Sequence, residues 1–291
     1  MRKTVTSGRL PVLMGSNLVG FIRKTSPAAE ELGLRVGARV AAIVKGGGNA
    51  KYAWVPPSQL IPVSKHLDPS DVACLLALYL PAFQTLHHGR PRPNRYSRTG
   101  LSDKRILITG GASAEAQAMI RLARLAGAAE MYVVAPCDHE SILKRHPVQY
   151  LDEAGDWVEE VRGRMDIVVD LNFPHDLSSV QEAMAPRGRL TCVHADTAST
   201  SKHWTDQLFG LLDYYYLLTT KRATLFNFAE SAFTEHAELE EDFRFLLRLL
   251  STRQIRPQID RYIKLADVPQ AHCDMEDQVL VGAIVCEPWR T

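Results

Sequence analysis

The stretch with the clearest capacity for chemistry is Gly110-Gly-Ala-Ser-Ala-Glu-Ala-Gln117, which follows the apolar run Arg105-Ile-Leu-Ile-Thr109. A short buried strand that ends in glycine and opens a helix can hold a phosphate. Glycine lets the backbone come close, and the helix start offers unpaired N–H groups and the positive end of a dipole. The loop therefore predicts a place for the diphosphate of a dinucleotide, surrounded by Gly110, Gly111, Ser113, Ala114, Glu115, Ala116 and Gln117. Ser113 or Ala114 stands where such loops carry a second glycine, and Ala116 takes the third place. Glu115 suits the helix dipole but competes with a phosphate for the same amides. A tight strand–helix turn with no ligand is the competing reading.

The next strand end, Val134-Ala-Pro136-Cys-Asp138-His139, extends this site through Pro136 and Asp138. An acid here accepts from a ribose hydroxyl and repels a 2′-phosphate. Asp138 reads equally well as the N-cap of the following helix. Asn172 and His194, just beyond two later strands, complete the cofactor-side candidates.

These residues need a scaffold, and the pattern from 105 to 194 provides one. Strands at Arg105–Thr109, Met131–Ala135, Val148–Leu151, Met165–Asp170 and Arg189–His194 alternate with helices at Ala114–Ala126, Asp138–Arg145, Asp156–Arg162 and Leu177–Ala185. Such alternation specifies a doubly wound α/β domain with a parallel sheet covered on both faces. Two longer helices, Asp206–Leu218 and Glu235–Ser251, and a strand-like run at Val279–Cys286 follow. Upstream, short strands at Leu18–Lys24, Arg39–Val44, Lys51–Val55 and Leu60–Pro62 precede a helix capped by Asp68 and running through Leu80. Residues 89–104, rich in Pro, Gly and Arg, read as a linker or surface loop.

Length and composition agree. The 291 residues suggest about two domains, and 34 basic against 33 acidic residues leave a net charge of +1. A hydrophobic fraction of 46% and a charged fraction of 23% exclude disorder, and the balanced charge argues against a nucleic-acid partner. No apolar window is long enough to span a bilayer, so no membrane partner is expected. No signal peptide is read at the basic N-terminus, which predicts a cytoplasmic protein. The five cysteines lie far apart without a CxxC pair, so no metal site is indicated. His87, His88 and His139 read as surface histidines. A serine nucleophile elbow is absent, because the glycine two residues after Ser113 is missing.

Read in succession, several segments resemble the medium-chain dehydrogenase/reductase superfamily, in its zinc-free quinone-oxidoreductase and enoyl-reductase branch. They are Leu10-Pro-Val-Leu-Met-Gly-Ser-Asn-Leu-Val-Gly20, Val36-Gly-Ala-Arg-Val-Ala-Ala42, Gly47-Gly-Asn-Ala-Lys-Tyr-Ala-Trp-Val-Pro56, Tyr79-Leu-Pro-Ala-Phe-Gln-Thr-Leu-His87, Gln117–Ala128 and Pro186-Arg-Gly-Arg-Leu190. The resemblance implies a Rossmann dinucleotide-binding domain at 101–255. It implies a GroES-like substrate domain assembled from 1–100 and 256–291. That domain begins several tens of residues earlier in the family, so the resemblance implies a chain truncated at its N-terminus with an incomplete barrel. It further implies NADPH or NADH as hydride donor, no zinc, a small-molecule acceptor and a homodimer. A degenerate, non-catalytic binding partner is the alternative. Asn17, Ala38, Pro81 and His194 depart from the family's usual residues. Tyr52, Tyr79 and His194 are the polar candidates for a proton donor, the two tyrosines being as readily core residues with satisfied hydroxyls.

Overall fold

The computed structural model describes residues 14–88, 95–171, 177–193, 223–234, 236–277 and 282–290. By their contacts these fall into two units: one holds the residues up to Ala77 and from Arg256 onward, the other those from Leu78 to Ile255. The sequence places the first boundary near residue 100; contacts place it inside a helical run instead.

The first unit opens with an antiparallel sheet, β1 (Asn17–Phe21), β2 (Arg39–Ile43) and β3 (Ile61–Pro62), in that spatial order. Between β1 and β2 lies α1 (Pro27–Glu31), which begins where Ser26 Oγ accepts from the Ala29 amide at 3.3 Å. Ile22, Ala29, Leu34 and Val40 form a small core beneath this sheet. The strand expected at Lys51–Val55 is absent: the segment runs as turn and irregular chain, mostly exposed, up to Pro56-Pro57. Its short turns after the glycines close on themselves, as in the Ala50 amide bonding Gly48, and no sheet edge takes up its backbone.

Asp68 caps α2 (Pro69–Cys74), its Oδ1 accepting from the Ser70 amide at 2.7 Å. The helix does not stop at Leu80. It widens into a π-turn over Leu75–Tyr79 and continues as α3 (Leu80–His87), with Pro81 in the first turn of the new segment. A proline there lacks only an N–H that the first turn leaves unpaired anyway, so the register change lets the helix pass it. Every residue of α3 is buried, His87 included, which corrects its reading as a surface histidine.

In the second unit strands and helices alternate from residue 105 to residue 193. Its elements are β4 (Arg105–Thr109), α4 (Ala114–Leu125), β5 (Glu130–Ala135), α5 (Glu140–Leu143), β6 (Gln149–Asp152) and α6 (Trp157–Val161). Then follow β7 (Met165–Asp170), α7 (Leu177–Ala183), β8 (Met184–Val193), β9 (Ala223–Phe226), α8 (Phe228–Thr234) and α9 (His236–Ser251). The six strands form one parallel sheet in the order β6-β5-β4-β7-β8-β9. Ile106, Leu107 and Ile108 are all buried, as a central strand covered on both faces requires. Leu107, Val134, Leu151, Val168 and Leu190 pack with Leu177 and Val180 of α7 in the core of one face. On α9, Leu239, Phe243, Leu246 and Leu250 make the buried stripe. The helix expected at Asp206–Leu218 lies outside the described residues.

The chain then returns to the first unit with β10 (Ile259–Ile263), α10 (Val268–Asp277) and β11 (Ala283–Cys286), β10 and β11 pairing in parallel. A groove of about 2740 Å³ runs through this unit, lined by β1, β2, α2, α10 and β11. Among the described residues no helix is long and apolar enough to cross a membrane.

Candidate functional site

The strand order reverses between β4 and β7: the chain builds outward from β4 to β6, then returns to place β7 on the other side. Ligands of open α/β sheets bind in the crevice at the C-terminal ends of the strands flanking such a reversal. The Gly110 loop lies at this point. Gly110 and Gly111 adopt φ of +96° and +79°, a backbone that an L side chain rarely tolerates. Ser113 is the N-cap of α4, its Oγ accepting from the Ala116 amide at 3.2 Å. The first amides of a helix have no acceptor within it, so this turn directs donors toward whatever sits above the loop.

Not every loop residue faces outward. Gln117 is buried, and its Nε2 donates to Ala112 O at 2.9 Å, tying the loop to the first turn. Ala112 and Ala116 are fully buried and let the helix pack closely on the sheet. The Gly111 amide is occupied by Val134 O at 3.1 Å, which locks the loop to β5. Ser113, Ala114 and Glu115 are half-buried, and Glu115 Oε1 is out of solvent.

Below the loop, Thr109 and Asp170 meet across β4 and β7 at buried positions. At the end of β5, Pro136 and Asp138 are exposed, Asp138 by 75% of its side chain. His139 turns the other way. Only 16% of its side chain is exposed, and its ring lies against Gly111, where a Cβ would stand 2.9 Å from Nδ1. The surface reading of His139 is corrected on this point. The β5–β6 edge is rich in acids. Desolvation, then Asp152, Cys137 and Glu140, push the Tyr150 phenol above its ordinary value. Lys144 pairs with Glu140 at 3.0 Å.

The structure thus brings Gly110, Gly111, Ser113–Gln117, Pro136 and Asp138 together around the ends of β4 and β5. Asn172 and His194 lie outside the described residues. Tyr79 is 1% exposed in the second unit, where its hydroxyl accepts from Arg121 Nη1 on α4 at 3.0 Å. Tyr52 belongs to the groove of the first unit and is 64% exposed, so it is no core residue; its ring meets Trp289 edge-on at 5.3 Å.

A family model described as zinc-binding dehydrogenase matches residues 146–285. The chain is 25% identical over 146 residues to the trans-enoyl reductase phm4 of a Pyrenochaetopsis species, a match covering 47% of this chain and 40% of that protein. It is 24% identical over 302 aligned positions to the mitochondrial NAD(P)H oxidoreductase RTN4IP1 of Drosophila melanogaster, covering 94% of this chain and 68% of the other. Among solved structures, a mycobacterial protein complexed with NADPH has the same fold, with a TM-score of 0.75 at 19% identity over 97% of this chain and 85% of that one. These matches agree with the resemblance to the medium-chain dehydrogenase/reductase superfamily that the sequence carries.

With Gly110 and Gly111 at positive φ and Ser113 capping α4, the loop geometry fits the diphosphate of a dinucleotide. At Gly111 the missing side chain makes room for the His139 ring, whose Nδ1 lies 2.9 Å from where a Cβ would stand. The family model's description names zinc; among the described residues no three His, Cys, Asp or Glu side chains cluster.

Proposed function

We propose that this chain is an NAD(P)H-dependent oxidoreductase that reduces a quinone, an enone or an enoyl thioester by hydride transfer, without zinc. The observation that carries this reading is the pair of left-handed glycines between β4 and a twelve-residue helix, at the point where the strand order reverses. The relatives' names, a trans-enoyl reductase and an NAD(P)H oxidoreductase, support it.

Bound here, the reduced nicotinamide would supply the hydride. The protein's own work is to bind, orient and exclude water, because hydride transfer needs little acid–base machinery. Gly110, Ser113 and Ala114 would face the diphosphate, with Ser113 also holding the helix start and Gln117 bracing the loop from inside. Asp138 and the acidic β5–β6 edge favour a free ribose hydroxyl over a 2′-phosphate, so we read NADH as the preferred partner over NADPH. Tyr79 is buried whereas Tyr52 is largely exposed, which makes Tyr52 the more accessible of the two tyrosines for proton donation. We also read the protein as a homodimer acting on a small-molecule acceptor.

Titration with NADH and NADPH, followed by nucleotide fluorescence, tests the reading. Saturable binding and bleaching on addition of a quinone are expected. No binding at millimolar nucleotide would overturn it. One observation favours the alternative, a non-catalytic binding partner: the Glu115 carboxylate in the first turn of α4 places negative charge where the diphosphate belongs.

A further inference from the structure

Two strands of the first unit, β1 and β11, line the same groove yet belong to separate sheets and do not pair with each other. β1 is the outer strand of its sheet. The Val44 amide bonds Ser16 O at 2.7 Å and the Ile22 amide bonds Ala38 O at 3.0 Å, so the even-numbered residues of β1 bond toward β2. The N–H and C=O groups of Val19 and Phe21 therefore point away from β2, and among the described residues no strand takes them up. A Cβ on Gly20, between them, would meet nothing within 4 Å, so the space over the middle of the strand is open. An unpaired strand edge is a template for another strand, and proteins usually cover or blunt it.

The groove beside this edge has an apolar floor, to which Leu18, Val40, Ala73, Ala271 and Ile284 contribute. Its charge is one-sided. Arg23, Lys24, Arg39, Lys45, Lys51 and Arg290 line it against a single acid, Glu287, in a chain whose net charge is only +1. Glu287 is matched by Arg290 at 3.7 Å, and Arg39 donates to Leu67 O at 2.6 Å. Arg23 and Lys24 stand exposed just past the end of β1. We propose that this groove docks an extended, acidic segment of another protein, which adds to β1 as a strand. Main-chain bonds to Val19 and Phe21 would hold it, alternate apolar side chains would reach the floor, and its acids would meet the basic rim. A second copy of this chain would bring the same basic rim to the contact. Residues 1–13, with Arg2, Lys3 and Arg9 and no acid, also carry the wrong charge. The proposal needs no nucleotide and stands apart from the hydride-transfer reading.

The test uses the full chain and a short synthetic peptide of alternating valine and threonine with paired aspartates at each end. A control peptide has lysines in place of the aspartates. The acidic peptide should bind saturably and at least about tenfold more tightly than the control, with the difference shrinking at high salt. On saturation, hydrogen exchange at the Val19 and Phe21 amides should slow about tenfold or more, while that of Gly20, which bonds toward β2, stays as it was. Val19→Pro removes an outward amide, a change that edge strands tolerate, and should cost the peptide about tenfold in affinity. Should that variant fold poorly, charge reversal of the exposed pair, Arg23→Glu with Lys24→Glu, should invert the preference between the two peptides. No saturation by the acidic peptide at millimolar concentration, equal affinity for both peptides, or unchanged exchange at Val19 and Phe21 would overturn the proposal. So would slow exchange of these amides in the peptide-free protein that deepens with protein concentration, since a second copy would then be the occupant.

Discussion

Thr109 Oγ1 donates to Asp170 Oδ1 at 2.6 Å, joining the buried ends of the two strands between which the sheet reverses its order. Leaving a buried hydrogen-bonding group without its partner costs about 1–3 kcal/mol. Thr109→Val should lower stability by that amount in urea unfolding, and Thr109→Ser should keep most of it. A Val variant as stable as wild type would show that this bond does not hold the crevice together.

Gly111 gives a prediction with an internal control. Alanine there would meet the His139 ring as well as an unfavourable φ, costing roughly 1–2 kcal/mol in backbone strain alone and displacing the imidazole. Gly33 has a similar φ of +76° with nothing near its Cβ position. Gly33→Ala should therefore lose stability but keep nucleotide affinity, while Gly111→Ala loses both. Calorimetric titration of the two variants separates strain from site damage.

Glu115 sits in the first turn of α4, where its charge complements the helix dipole and opposes a bound diphosphate. Glu115→Gln should tighten NADH binding about three- to tenfold at low salt, less at high salt, and slightly destabilise the free protein. Weaker binding would mean that the carboxylate helps to build the loop rather than oppose its ligand.

One surface pair gives a pH signature. Asp166 Oδ2 accepts from the Arg105 amide at 2.9 Å and its Nε at 3.2 Å. Desolvation raises the Asp166 pKa, but these bonds and the nearby positive charge outweigh it and hold it below the ordinary carboxylate value. A carboxylate depressed in the folded state adds stability above its unfolded pKa, and that increment disappears as pH falls through the folded one. Asp166→Asn should therefore cost about 1 kcal/mol at neutral pH, discounted for partial exposure. The gap to wild type should close in acid below the ordinary carboxylate range. A gap that persists there in thermal melts would point to a packing defect.

A second buried network anchors the chain at Arg95. Asp242 on α9 is fully buried and accepts from Gln84 Nε2 at 3.0 Å, Tyr96 OH at 2.8 Å and Arg95 Nη1 at 3.1 Å; Arg95 also pairs with Glu238. Removing one partner of a buried pair is far more damaging than never having had it. Arg95→Ala should cost about 3–5 kcal/mol, whereas Tyr96→Phe should cost about 1–2. Equal losses would show that the hydroxyl, not the guanidinium, balances the carboxylate.

Most of the second unit was legible in the sequence because its strands are buried on both faces and read as unbroken apolar runs. Arg105–Thr109 and Met165–Asp170 occupy the bounds their residues announce. Where burial is one-sided, the pattern blurs. In β10, Asp260 and Arg261 interrupt the apolar positions, and the strand escaped notice. Pro81 suggested a helix end because the π-turn that carries the chain past it depends on packing around α3, not on local preference. In the site, the glycines signalled the loop, but the inward turn of Gln117 and the enclosure of His139 are tertiary facts. The one sequence sign of the latter was a histidine directly after an acid at a strand end.

Parallel pairing also governs how this protein is made. β4 is the innermost strand of its sheet, yet it precedes every neighbour in translation, and its far-side partner joins only when Ile167 can align with Ile106. Until then its apolar flank stays open, and slow, long-range closure of this kind leaves nascent chains prone to sticking. The first unit waits longer still, since β10 and β11 are made only after the whole of the second unit. A ribosome paused after β4 would therefore expose the open flank of the parallel sheet, and chaperone demand should fall once β7 has paired with it.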